Sequence, residues 1–218
     1  MTDDNQFSTS SNWAVTASAI ALRQLLLDLL CQLAYQEGDF VLSSGLPSSY
    51  YINAKQVTLH PQGALAVGRL LLAELPEDTQ AVAGLTLGAD PIVTAVSVVS
   101  AYENRPIPAL IVRKEPKGHG TQAYIEGPSL SANSSVVVLE DVVTTGQSAL
   151  KAVERLRQAG YSVESAIALV DRQQGGSELY KSVGLKFHSI FSIQDIQEHF
   201  KKREGERGRV GEGEKEYI

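Results

Sequence analysis

Glu140 and Asp141 stand side by side at the end of an apolar run, in the stretch VVVLEDVVTTGQS from Val136 to Ser148. Two adjacent carboxylates can accept hydrogen bonds from the vicinal hydroxyls of a sugar. After Val142 and Val143, the residues Thr144, Thr145, Gly146, Gln147 and Ser148 can turn backbone N–H groups and hydroxyls toward a phosphate at the start of the next helix. Glycine at Gly146 lets the backbone come close to that anion. An acidic pair that merely capped a helix would need one acceptor, whereas this turn offers several. The whole run from Glu140 to Ser148 therefore reads as a seat for a phosphorylated sugar.

Three further groups complement it. The segment RKEPKGHGTQAY sets Arg113, Lys114, Lys117 and His119 around Gly118 and Gly120, on a chain whose formal net charge is -6. Such a local concentration of cations suits a loop that covers an anion, and its glycines would let it open and close; the plainer alternative is a solvated charged loop. Arg172, between Asp171 and Gln173, could grip a planar carboxylate through two parallel hydrogen bonds, a task for which lysine is a poor substitute. Its plainer alternative is an ion pair with Asp171 or another acid. The fourth group, GLTLGADP from Gly84 to Pro91, is a glycine-spaced turn from strand into helix. Together these groups describe a ribose bearing a 5-phosphate and a 1-diphosphate, attacked by a heterocycle that carries a carboxylate. Magnesium would neutralise the diphosphate, held mainly by substrate oxygens and waters.

These groups need strand ends to converge, and the pattern of the chain supplies them. With 218 residues and 43% hydrophobic composition it can bury one core and is expected to fold as a single domain, residues 13–200. Residues 1–12 and the charged stretch 201–218 read as disordered tails. A helix is expected from Ala14 toward Gly38, then a hairpin from Phe40 to Lys55 that turns at Gly45, Leu46 and Pro47. Another helix runs from His60 to Leu75. Strands at Ala81–Leu87, Ala109–Arg113, Val136–Glu140 and Ser162–Val170 alternate with helices at Pro91–Tyr102 and Gln147–Ala159. Phe187–Phe191 adds an edge strand and Ile193–Phe200 a short helix. The fold class is α/β, an open, mostly parallel sheet flanked by helices on both faces, with a small amino-terminal hood. In such sheets the site lies beyond the carboxyl ends of the strands.

Composition excludes several classes. The acidic balance argues against nucleic acid as a partner. The single cysteine, Cys31, excludes disulfides and cysteine zinc sites and reads as core packing. Arg23 and Asp28 interrupt the apolar stretch Ala14–Leu30, and no basic leader precedes it, so neither a membrane span nor a signal peptide is expected and the cytoplasm is the default compartment. His60, His188 and His199 have no partner at ligand spacing and read as structural.

These motifs resemble those of the type I phosphoribosyltransferases. The run VVVLEDVVTTGQS is similar to the family's binding signature for 5-phosphoribosyl 1-diphosphate, while RKEPKGHG, the DRQ of Asp171 to Gln173 and the hood segment FVLSSGLPSSYYIN resemble the orotate phosphoribosyltransferases. The likeness spans Leu29 to Phe200. It implies that Arg113, Lys114, Lys117 and His119 bind the diphosphate, that Glu140 to Ser148 hold the ribose 5-phosphate, and that Thr144 and Arg172 hold orotate. Lys117, His119 and Asp141 are the implied catalytic residues. A homodimer with shared active sites, magnesium, and a place in pyrimidine synthesis are implied as well. Some members carry lysines where this chain has Ser43 and Leu87-Gly88. Two alternatives are a purine phosphoribosyltransferase, which has no evident use for this cationic loop together with Arg172, and a non-catalytic regulator that senses the diphosphate sugar, which should show a basic recognition surface.

Overall fold

The apolar runs become strands of one sheet in a computed structural model of the chain, which describes residues 16–41, 47–116 and 124–213. Helix α1 (Ala19–Leu29) passes through a π-helical turn at Leu30–Ala34 into a hood of two antiparallel strands, β1 (Tyr35–Val41) and β2 (Pro47–Ile52). The short α2 (Lys55–Thr58) and the longer α3 (Pro61–Glu74) follow. The sheet then builds through β3 (Ala81–Leu85), α4 (Asp90–Tyr102), β4 (Ala109–Val112), β5 (Ile125–Glu126), β6 (Val136–Val143), α5 (Gln147–Gln158), β7 (Ser165–Asp171), α6 (Gly176–Ser182), β8 (Lys186–Ser192) and α7 (Ile193–Gly213).

Strand order is β5-β4-β3-β6-β7-β8, parallel throughout except for the antiparallel pair of β4 and β5. Every residue of β3 is buried, because helices cover both faces. Side chains alternate between two cores. Val82, Val137, Leu139 and Ile167 join the core under α1, α3 and α4, while Ala83, Val136, Val138 and Ala168 join the core under α5 and α6. This is the mostly parallel α/β arrangement expected from the sequence.

Several boundaries differ for identifiable reasons. The first helix was expected to reach Gly38, yet the chain turns extended at Tyr35, whose buried ring stacks on Tyr50 at 5.8 Å and meets Phe200 edge-on at 5.1 Å. β6 runs on to Val143 instead of ending at Glu140, so the acidic pair lies within the strand. The expected turn residues Gly45 and Leu46 lie outside the described residues. The final helix continues past Phe200 to Gly213, farther than the short helix expected at Ile193–Phe200. α7 is tied to α1 by Asp28, whose carboxylate accepts from His199 at 2.8 Å and pairs with Arg203. Composition alone does not reveal that tie. Cys31 is buried beneath the same helix, its thiol donating to the Ile196 carbonyl, and burial pushes it up to about 11 against the nearby Arg203 charge, as suits core packing.

Candidate functional site

The carboxyl ends of β3, β6 and β7 open toward the hood, and each delivers groups singled out in the sequence. After β6 the chain turns through Thr144, Thr145 and Gly146 into α5. Gly146 is in the left-handed region with φ +83°, and a Cβ there would lie 2.9 Å from the Tyr180 ring. The turn therefore closes around a cavity of about 80 Å³, lined by Glu140, Val142, Val143, Thr144, Thr145, Gly146, Gln147, Ser148 and Tyr180. With the N–H groups of a helix start at its mouth, its size and polarity suit an anion such as a phosphate.

The acidic pair serves two neighbouring surfaces. Glu140 lines the cradle, whereas Asp141 faces Lys55 and the turn after β3, the two carboxyls staying close enough for Asp141 to act on Glu140. Among the described residues, Oε2 of Glu140 and the Tyr180 hydroxyl are both buried without a hydrogen-bond partner. Burial, reinforced by the Asp141 charge and opposed by Lys114 and Lys55, holds the Glu140 carboxyl well above the usual carboxylate range. Burial also raises the Tyr180 hydroxyl, with the charges of Glu140 and Asp171 adding to the effect. Two buried polar atoms facing one small cavity are open to hydrogen bonds from whatever occupies it, water or ligand.

The raised Glu140 value has a measurable consequence. The folded protein holds a proton there that the unfolded chain releases at lower pH, so this carboxyl weakens folding progressively as pH rises from the usual range through its raised value. Ligand-free Glu140→Gln should melt above the parent protein at pH 8, with the gap shrinking toward pH 5. A gap that ignores pH would show that Glu140 is not the strained group.

Asp141 is held differently. Its Oδ1 accepts from the Val142 N–H at 2.9 Å, and its Oδ2 lies 3.8 Å from Nζ of Lys55, the first residue of α2. The turn after β3 packs beneath it: a Cβ on Gly88 would come within 2.5 Å of the Asp141 carboxylate. Thr86 pins that turn by donating to Asp90 at 2.7 Å.

Arg172 sits at the end of β7, its backbone N–H donating to the Val143 carbonyl at 2.9 Å, which sets it beside the residue that precedes Thr144. Its guanidinium is buried, lies 4.7 Å over the Tyr50 ring, donates from Nε to the Tyr50 hydroxyl at 3.1 Å and reaches Ser48 at 3.4 Å. The alternative of an ion pair with Asp171 is not what forms, because Asp171 accepts from the Gln173 N–H instead. Among the described residues no carboxylate pairs with Arg172, so its charge stays available to an incoming anion.

The cationic segment is seen at its two stems. Arg113 pairs with Glu126 at 3.1 Å, and its backbone N–H donates to the Tyr124 carbonyl at 2.7 Å. Lys114 lies near enough for its charge to act on Glu140. Arg155 of α5 donates to the carbonyls of Arg113 and Lys114 and lies 4.0 Å over the Tyr124 ring, joining both stems to the helix that starts at the phosphate cradle. Lys117, Gly118, His119 and Gly120 lie outside the described residues.

Sequence reasoning missed Ser48, Tyr50, Lys55, Arg155 and Tyr180 as parts of the site. Tyr50 and Lys55 fell in the hairpin reading, and their partners lie far away in sequence. Among the described residues no three His, Cys, Asp or Glu side chains are grouped to hold a metal ion. The hard oxygens of Asp141 at the cleft fit magnesium shared with substrate oxygens and waters, where a full protein cage is not required.

Comparison with known proteins adds independent findings. The model of the phosphoribosyl transferase domain family matches residues 55–200. The sequence is 75% identical to an orotate phosphoribosyltransferase of Nostoc sp., over 88% of this chain and 94% of that relative. It is 65% identical to the orotate phosphoribosyltransferase of Synechocystis sp., over 86% of this chain and 95% of the relative. Among solved structures, it is similar to Mycobacterium tuberculosis orotate phosphoribosyltransferase in complex with 5-phospho-alpha-D-ribosyl 1-diphosphate, with a TM-score of 0.66, 36% identity, and coverage of 81% of this chain and 99% of that one.

Proposed function

Because this chain belongs to the phosphoribosyl transferase family, and within it to the orotate phosphoribosyltransferases, we propose that its strand-end cleft binds the two reactants with the residues described above. The reaction transfers the phosphoribosyl group of 5-phosphoribosyl 1-diphosphate to N1 of orotate, giving orotidine 5′-monophosphate and diphosphate on the route to pyrimidine nucleotides. What supports the residue assignment is a pair of unlike polar sites at neighbouring strand ends, each suited to an anion. One is the cradle with Oε2 of Glu140 and the Tyr180 hydroxyl unpartnered; the other is Arg172, buried beside Tyr50 with no acid paired to it among the described residues.

Thr144 to Ser148 take the 5-phosphate, and Glu140 and Asp141 take the ribose hydroxyls. Arg172, with Thr144, takes the orotate carboxylate. As the bond to diphosphate lengthens, positive charge grows on the ribose, and the Asp141 carboxylate stabilises it while Glu140 holds a hydroxyl. Lys114 with Lys117 and His119 stabilises the departing diphosphate, and Arg113 anchors the start of that segment. Orotate supplies a nitrogen that ionises readily, so positioning matters more than a strong protein base. Bound magnesium would neutralise charge on the diphosphate, held mainly by substrate oxygens and waters with the Asp141 carboxylate available to it.

We also infer a homodimer with shared active sites, acting in the cytoplasm. An apolar groove of about 640 Å³, lined by Leu59, Leu65, Leu87, Pro91, Val98 and Val99, adjoins the cleft through Lys55 and offers a face to a second copy. No helix among the described residues is long and apolar enough to cross a membrane.

The test is purified protein with orotate, the diphosphate sugar and magnesium, followed by the loss of orotate absorbance. Turnover with adenine or hypoxanthine and none with orotate would overturn the base assignment. Binding of the sugar with no turnover of any base would indicate a sensor. Sedimentation velocity checks the dimer.

A further inference from the structure

We propose that Lys55 is a substrate-binding residue, parked on Asp141 in the free protein and transferred to the diphosphate when the sugar binds. The inference rests on the phosphoribosyl-transfer reading and extends it to a residue that reading does not use. Lys55 opens α2, whose neighbours Ala54, Val57 and Thr58 are buried, so its backbone is fixed while its side chain leaves toward the cleft. Its ammonium stands 3.8 Å from Asp141 with the lysine side chain 39% exposed. That spacing exceeds the roughly 2.7–2.9 Å of a direct charge-assisted hydrogen bond. A pair so long, its ammonium partly in water, holds more weakly than a direct contact and can be exchanged.

Substrate forces the exchange. Asp141 must give its acceptor oxygens to a ribose hydroxyl, and the ammonium then needs another anion. The diphosphate is attached to the carbon next to the one bearing the 2-hydroxyl, so it arrives within reach of the same flexible side chain. The turn after β3, which packs against Asp141 through Gly88, lies on this side and carries no cation at Leu87 or Gly88. Lys55 and Leu87 line the same groove wall. Lys55 is thus placed to supply, from α2, the positive charge that the turn after β3 does not provide.

The experiment compares the full chain with Lys55→Met, which keeps side-chain length, and Lys55→Arg, which keeps charge. Titration calorimetry gives dissociation constants for magnesium diphosphate, for the diphosphate sugar and for ribose 5-phosphate; steady-state kinetics give kcat and the two KM values. Lys55→Met should weaken diphosphate and the diphosphate sugar on the order of ten- to a hundredfold, the usual worth of one hydrogen bond to a charged group. Ribose 5-phosphate should bind as well as before or better, since it no longer competes with the ammonium for Asp141, and the KM for orotate should hold. Lys55→Arg should recover most of the loss. Unchanged diphosphate affinity in Lys55→Met, or equal weakening of ribose 5-phosphate, overturns the proposal and leaves Lys55 as a structural counter-ion of Asp141. The parent protein separates this from the underlying reading: failure to turn over orotate would sink the function, while an active parent with an indifferent Lys55→Met sinks only the role of Lys55.

Discussion

Arg172→Ala is expected to cost about 2 to 5 kcal/mol of orotate binding, the range seen when one partner of a buried charge-assisted contact is truncated. The KM for orotate should rise at least 30-fold by that measure, with the affinity for the diphosphate sugar nearly unchanged. The guanidinium is buried over Tyr50, and its remaining donors have no carboxylate among the described residues. A carboxylate arriving there meets a charge already stripped of water and fixed in direction. Arg172→Lys should recover little, because an ammonium cannot offer the planar fork. Tyr50→Phe removes the hydroxyl that orients Nε and should cost about 1 kcal/mol. Isothermal titration with each substrate decides the matter, and equal weakening of both would detach Arg172 from the base.

Gly146→Val should abolish binding at the phosphate end. The left-handed φ of +83° is strained for a β-branched residue, and the new Cβ would press on the Tyr180 ring. Backbone strain alone costs about 1 to 3 kcal/mol, and the collision must be relieved by moving either the turn or α6. Ribose 5-phosphate affinity should fall more than a hundredfold, a loss of about 3 kcal/mol. Tyr180→Leu placed on top of it should recover some thermal stability without restoring affinity, since relieving the contact leaves φ unchanged. Affinity that survives in Gly146→Val would mean that the 5-phosphate sits elsewhere.

The sheet and the cradle were legible because local pattern determines both. Apolar runs such as Val136–Leu139 need cover on two faces, and a glycine among hydroxyl-bearing residues at a helix start is an anion seat wherever the chain places it. Ending the strand at Glu140 concealed that Asp141 lies within β6 and faces Lys55. What stayed hidden depends on contacts between distant segments. Tyr50 is 122 residues from Arg172, and no spacing rule links a hood strand to the end of β7. The length of α7 was obscured for the same reason: a polar, charged sequence reads as unstructured until Asp28 is seen to hold His199 and Arg203. Lys55 carried no signal beyond its place at the end of a hairpin.

The hood strand β2 has a consequence for anyone redesigning this protein. Tyr50 braces the arginine assigned to the incoming base, and just past β2 the first residue of α2 brings Lys55 to Asp141. Selectivity for the nucleophile and the grip proposed for the leaving group are therefore wired to one short segment, residues 50–55. Altering base preference through the neighbourhood of Tyr50 should shift both ends of the reaction together, so compensating changes are best sought on β7, which touches only one of them.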